Sequence, residues 1–370
     1  MTAGSDILFL INGLGMGNST RCHAIMQALA PRGHRLHVLT SGNGLAYFGD
    51  KPEVASLTAM EAFFYSKRNG RISGWQTLLT TRQLVRLARE KRRTLEDLLK
   101  KVRPALAVTD SEYAVGPLRR QGVPIVAVNN AEVVVSEYRA WRRNPAAVRG
   151  QYCFIEYPDY LFHRKVCDLV ISPSPRPGPA RHPKFRRVGL ILRKEVRAAA
   201  ARASAAFAEP NKIRNVVFML SGSIFASAVP LEDYEMPFKI DVVGRGGAST
   251  ENVTYHGRLM HNLDLLLKAD ALVVNGGYSA VSEALALGKP TFVIPVPGHA
   301  EQYVNARLVA ELGRGYRTSE TEVMDLLLRL YAKHRWEGLA PQQPLSGLDG
   351  ATEAADAIEE VLRRRGLARA

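Results

Sequence analysis

Residues 270–305 constrain the fold of this chain more than any other stretch. Ala271-Leu-Val-Val is an apolar run too short for a helix, Asn275-Gly276-Gly277 is a turn stripped of bulky side chains, and a helical pattern then runs until Gly288 stops it. After Pro290 a second apolar run, Thr291-Phe-Val-Ile, leads to a helix opening at Glu301-Gln302. Short apolar runs alternating with helices read as βαβ units and so as a parallel sheet. Open sheets of that kind bind ligands beyond the carboxyl ends of their strands. Two helix N-termini and two acidic side chains, Glu283 and Glu301, are therefore expected at a binding edge.

The same rhythm runs through the rest of the chain. Strands are expected at 7–12, 36–40, 106–109, 125–129 and 169–171, with a further short one at 188–192. A helix from Ser19 to about Pro31, capped by Ser19 or Asn18, follows the turn Gly13-Leu-Gly15-Met-Gly17-Asn18. The proline-rich segment 172–179 can be neither helix nor central strand, and strands resume at 215–220, 238–243 and 253–256. The fold class expected is α/β, with two doubly wound parallel-sheet domains facing a cleft. The division is 1–185 for the first domain, 186–350 for the second, and 351–370 for a last helix packing back on the first.

At 370 residues the chain has room for two cores, and its 46% hydrophobic and 23% charged residues are those of a globular protein. No secretory signal or spanning segment is expected. Cys22, Cys153 and Cys167 form no CxxC pair, so neither a disulfide framework nor a zinc ribbon is expected, and the cytoplasm is the default compartment. The net charge of +15 attracts phosphate-bearing partners in general. A basic, helix-spaced stretch from Arg82 to Arg103 suits an anionic membrane surface or, more simply, a core helix with a solvated face. Aromatic and basic residues mixed over 131–165 could stack bases, but without a nucleic-acid motif that partner ranks lowest.

The chemistry concentrates in the glycine turns. Gly276 and Gly277 free backbone N–H groups to face an anion at a helix start, Ser279 adds a hydroxyl, and Gly222 with Ser223 repeats the arrangement after strand 215–220. Together they read as a pyrophosphate site without a metal. Glu283 lies one turn beyond Ser279, where a carboxylate can accept ribose hydroxyls. Gly13, Gly15 and Gly17 form the first turn, in which Asn18 stands where a dinucleotide fingerprint needs glycine, and Thr40-Ser41 close the second strand where it needs an acid. A nicotinamide cofactor is therefore disfavoured.

On these residues the chain resembles the GT-B glycosyltransferases, near the bacterial lipid-linked N-acetylglucosaminyl transferases and the nucleotide-sugar-dependent natural-product and plant enzymes. The resemblance implies twin Rossmann-like domains and an inverting, metal-independent transfer of a hexose or N-acetylhexosamine from a UDP-sugar, with no other cofactor. It implies that Gly276, Gly277 and Ser279 hold the diphosphate, Glu283 the ribose, Glu301 and Gln302 the donor sugar, and Arg258 and Leu259 the base. Many relatives carry His where Asn275 stands, and a general-base His where Asn18 stands. With Asn18 unable to take a proton, Asp110, with Glu112, is the expected base. A hydrolase or epimerase of the same fold and a non-catalytic nucleotide-sugar-binding protein are the alternatives. The acceptor is open between a lipid-linked glycan precursor, with peripheral contact to the inner face of the membrane, and a soluble molecule.

Overall fold

The computed structural model describes residues 4–61, 74–176, 178–203, 213–220, 231, 235–259, 261–334, 336–339 and 349–366, with side chains in the first long helix described from Arg86. Two all-parallel sheets organise it. The first contains β1 (Asp6–Ile11), β2 (Arg35–Thr40), β3 (Val54–Ala59), β4 (Leu106–Asp110), β5 (Ile125–Val128), β6 (Leu169–Pro173) and β7 (Phe185–Val188), in the order β3-β2-β1-β4-β5-β6-β7. The second contains β8 (Asn215–Met219), β9 (Lys239–Val243), β10 (Val253–Gly257), β11 (Ala271–Val274), β12 (Thr291–Val293) and β13 (Gly315–Arg317), in the order β10-β9-β8-β11-β12-β13. Each sheet reverses its strand order beside its first strand, between β1 and β4 and between β8 and β11. Those reversals are the points where such sheets leave a crevice.

Helices cover both faces. The first sheet carries α1 (Met16–Leu29), α2 (Asn43–Phe48), α3 (Gly74–Lys101), α4 (Gly116–Arg120), α5 (Ala131–Ala140), α6 (Ala146–Gln151) and α7 (Tyr157–Val166). Then come α8 (Lys194–Ala203), α9 (Leu263–Lys268), α10 (Tyr278–Ala286), α11 (Ala300–Glu311), α12 (Val323–Lys333) and α13 (Gly350–Arg364). β1 shows why both faces need covering. Ile7, Phe9 and Ile11 join the core built with α1 and α13, while Leu8 and Leu10 join the one built with α3 and α5. A strand apolar at every position is buried on both sides.

Several expectations shift. The strand expected at 188–192 is β7, ending at Val188, so the first sheet runs past residue 185, while Leu190 and Leu192 pack into the second sheet's core. α1 begins at Met16 with Gly15 as its cap, so Asn18 and Ser19 lie within the helix's first turn and neither caps it. In α3 the apolar stripe Leu95, Leu98 and Leu99 is core. The charges beside it pair along the helix, Arg86 with Glu90 and Arg92 with Glu96. Among the described residues no helix is long and apolar enough to cross a membrane.

α13 crosses back from the second unit and lays Ala351, Ala354, Ala355, Ile358 and Leu362 into the core beneath α1. Arg32 reaches from the end of the first βα unit to Asp356 and Glu359 on that helix. Ile358 is fully buried. Ile358→Ala is therefore expected to lower the unfolding free energy by about 2–5 kcal/mol, read from urea denaturation; a loss under about 1 kcal/mol would contradict the docking of α13.

Candidate active site

The two strand-order reversals bring the first glycine turn and the β11–α10 turn together. Gly13 has no room for a side chain, since a Cβ there would lie 1.6 Å from the Ser41 carbonyl oxygen. At the other turn Gly276 takes φ +84°, and Asn305 of α11 donates to its carbonyl at 2.9 Å. Between the turns, the Ser279 hydroxyl donates to the Gly17 carbonyl at 3.3 Å, and a Cβ on Gly17 would come within 2.9 Å of that hydroxyl. The N-termini of α1 and α10 thus converge on one place, each with first-turn N–H groups that have no partner within their own helix.

Arg21 dominates the wall beneath. Its guanidinium grips Asp110 with both arms, at 2.7 and 2.9 Å, and lies 5.7 Å from the centre of the Tyr278 ring at the start of α10. A third contact runs from Arg21 to the Asn18 side-chain oxygen at 3.4 Å, and the Asn18 amide donates to the Asn12 carbonyl. Burial pulls the Arg21 guanidinium's pKa down, but Asp110 more than offsets it and the net shift is upward. Cys22 points its thiol at the same carboxylate from 3.4 Å, and burial together with that charge keeps it a thiol. Ser111, next along the chain, sits at φ +54°, a strained conformation for a residue with a side chain.

These contacts bear on the expected base. Asp110, the expected base, is fully buried and bound on both oxygens by Arg21. Glu112 is just as occupied: Lys91 of α3 pairs with it at 2.6 Å, and the amides of Tyr113 and Ala114 take its other oxygen. Asn18 is a hydrogen-bonding spacer between Arg21 and the first turn.

Glu283 is buried and accepts from Arg193 at 2.6 and 2.8 Å, and Arg193 also donates to Asn262. Arg258 and Leu259 are exposed just after β10, beyond Gly257 at φ +63°. Glu301 accepts from Asn130 of the first unit at 2.8 Å, and Gln302 turns its carbonyl oxygen to the Val296 amide. Asn275 is buried at the end of β11. Gly222 and Ser223 lie outside the described residues. Sequence reasoning missed Arg193 and the ion-pair role of Arg21; for Arg21 its place one turn after Asn18 was the available signal.

The description glycosyl transferase family 1 matches this chain over residues 5–331. The chain belongs to that family. An uncharacterized glycosyltransferase of Methanosarcina mazei is 23% identical over 96% of this chain and 98% of its own length. The fold is that of CalG4, the calicheamicin glycosyltransferase, with a TM-score of 0.64 at 21% identity over 98% of this chain and 99% of the other. Two further structures of the same GT-B fold hold nucleoside diphosphates. They are LpCGTa with UDP (TM-score 0.60, 16% identity, 98% and 95% covered) and Streptomyces sp. SF2575 SsfS6 with thymidine diphosphate (0.58, 16%, 97% and 99%). The protein is a glycosyltransferase built on two Rossmann-like sheets.

Removing one member of a buried ion pair strands the other's charge. Arg21→Ala is expected to cost this transferase about 3–5 kcal/mol, measured by chemical denaturation. Replacing both partners, Arg21→Met with Asp110→Leu, is expected to cost less than the single change. A double variant as unstable as Arg21→Ala would contradict this account of the pair.

Proposed function

We propose that this glycosyltransferase moves a hexose or N-acetylhexosamine from a UDP-sugar to an acceptor hydroxyl, with inversion at the anomeric carbon and without a metal. The observation that carries this reading is the meeting of two helix N-termini at Gly17 and Ser279, on the crevice where both sheets reverse. A diphosphate seated there would be met by the N–H groups after Gly276 and Gly277 and by the Ser279 hydroxyl. The positive ends of two helices would stabilise the charge that grows on it as it departs.

The remaining roles follow the geometry outward. Arg193 takes one lone pair on each Glu283 oxygen, which leaves each oxygen one more for a ribose hydroxyl. Arg258 and Leu259, exposed past β10, would lie along the base, and Glu301 and Gln302 would face the sugar. The lipid-linked and soluble acceptors remain two versions of the same reaction.

A ligand that binds the native state raises its stability, by about 2.7 kcal/mol at a hundredfold excess over Kd. UDP is expected to raise the melting temperature and ADP to leave it nearly unchanged, with thymidine diphosphate as the arm that tests the base. UDP-glucose or UDP-N-acetylglucosamine is expected to be consumed only when an acceptor is present. No response to any nucleoside diphosphate would overturn the reading, and free sugar released at the same rate without acceptor would replace transfer by hydrolysis.

A further inference from the structure

Asn18, Asp110 and Glu112 are all held in other contacts. Another carboxyl of the first unit, Glu156, lies against residues of the second. α6 does not end its helical path at Gln151 but continues through a π-helical turn, Tyr152–Glu156, into α7. Such turns are rare and are often found at functional sites. Here the turn ends on Glu156, whose carboxylate lies with the side chains of His299 and Glu301 in one group, their nearest polar atoms all within 4.8 Å of one another.

The group bridges the two units. Gln151 donates to Glu156 at 2.9 Å and, with its own oxygen, accepts the Ala300 amide at the start of α11 at 2.7 Å. Glu301 is steadied by Asn130, and His299 caps α11 by accepting weakly from the Gln302 amide. Glu156 is 93% buried, whereas His299 and Glu301 are half-buried. The titratable groups around Glu156 are Glu301 and His299 from α11, Asp159 on its own helix and Tyr113 from the loop after β4. Burial first, and then the charge of Glu301 with a smaller push from Asp159, holds the Glu156 carboxyl up at about 8 against the Gln151 hydrogen bond.

We propose that Glu156 receives the acceptor hydroxyl's proton in the transfer reaction. This rests on the transferase reading above, in which Glu301, its neighbour across the cleft, faces the donor sugar. The acceptor oxygen forms its bond to the anomeric carbon as the bond from that carbon to the diphosphate breaks. The electron pair leaves with the diphosphate, and the proton passes to the Glu156 carboxylate to give a neutral carboxyl. A neutral carboxyl is the form favoured in a buried place beside another carboxylate, so Glu156 is a stronger base than an exposed glutamate. The nearby His163 is 1% exposed and has Nδ1 fixed on Asp159, which seals it away from an acceptor.

The experiment compares wild type with Glu156→Gln, using UDP-glucose as donor and two probe acceptors, phenol and 2,4-dinitrophenol. Dinitrophenol is already ionised in the assay and needs no base. Transfer to phenol is expected to rise with pH through about 8 in the wild type, and to fall about 100-fold or more in the variant with loss of that limb. Transfer to dinitrophenolate is expected to stay within about threefold. A loss under tenfold for phenol, an equal loss for both acceptors, a limb that persists in the variant, or wild-type transfer to dinitrophenolate alone would overturn the assignment.

Two further readings separate this inference from the function beneath it. A wild type that fails to respond to UDP in thermal shift contradicts the donor reading itself. Stability against pH tests the carboxyl group without any substrate. Because its folded pKa is raised, the native state holds a proton that the unfolded chain releases between about 4.5 and 8, so wild-type stability falls as pH rises through that window. Glutamine does not titrate, so Glu156→Gln is expected to gain stability over wild type as pH rises from 5 to 8.5. A difference that does not grow with pH overturns the inference.

Discussion

The bidentate pair between Arg21 and Asp110 is the interaction on which the cleft depends. It ties α1 to the end of β4 at the point where the first sheet reverses, and its third contact fixes Asn18. The face of the same guanidinium lies near Tyr278, so the first residue of α10 is registered against the first domain's turn. An ion pair this deep is poor evidence for stability in itself, since desolvation offsets much of its attraction. Its use here is positional: it sets where two helix N-termini meet.

Much of the fold was legible because it is written in period and punctuation. Runs such as Ile7 to Ile11 and Ala271 to Val274 are apolar at every position, and parallel sheets covered on both faces require that. Glycine turns at Gly13 and Gly276 marked the loops that carry the site. Elements with weak patterns were missed: Val54–Ala59 includes Ser56 and Thr58 and is nowhere fully buried, and Gly315–Arg317 is three residues long. Residues 131–165 read as an aromatic and basic mixture because α5, α6, the π turn and α7 pack on several neighbours at once, which erases a single apolar stripe.

The glycine turns were more legible than the ion pairs around them, for a physical reason. Binding a diphosphate needs backbone geometry, and backbone geometry leaves glycine in the sequence. Choosing a proton acceptor depends on which carboxylates are already paired. Nothing local in Asp110-Ser-Glu112 announces that Arg21 and Lys91 occupy both acids from 89 and 21 residues away. Nor does Glu156 announce that folding places it against Glu301 with no cation among the groups that shift it. Other buried acids are paired from a distance in the same way, Glu132 by Arg187 and Glu283 by Arg193.

The central claim is that a nucleoside diphosphate occupies the place where α1 and α10 point at each other. Hydrogen exchange followed by mass spectrometry, with and without UDP, tests it most directly. The account predicts slower exchange in peptides covering the amides after Gly276, through the first turn of α10, and in the Gly13 to Arg21 turn. UDP binding that protects amides elsewhere and leaves both turns exchanging at the ligand-free rate would contradict it.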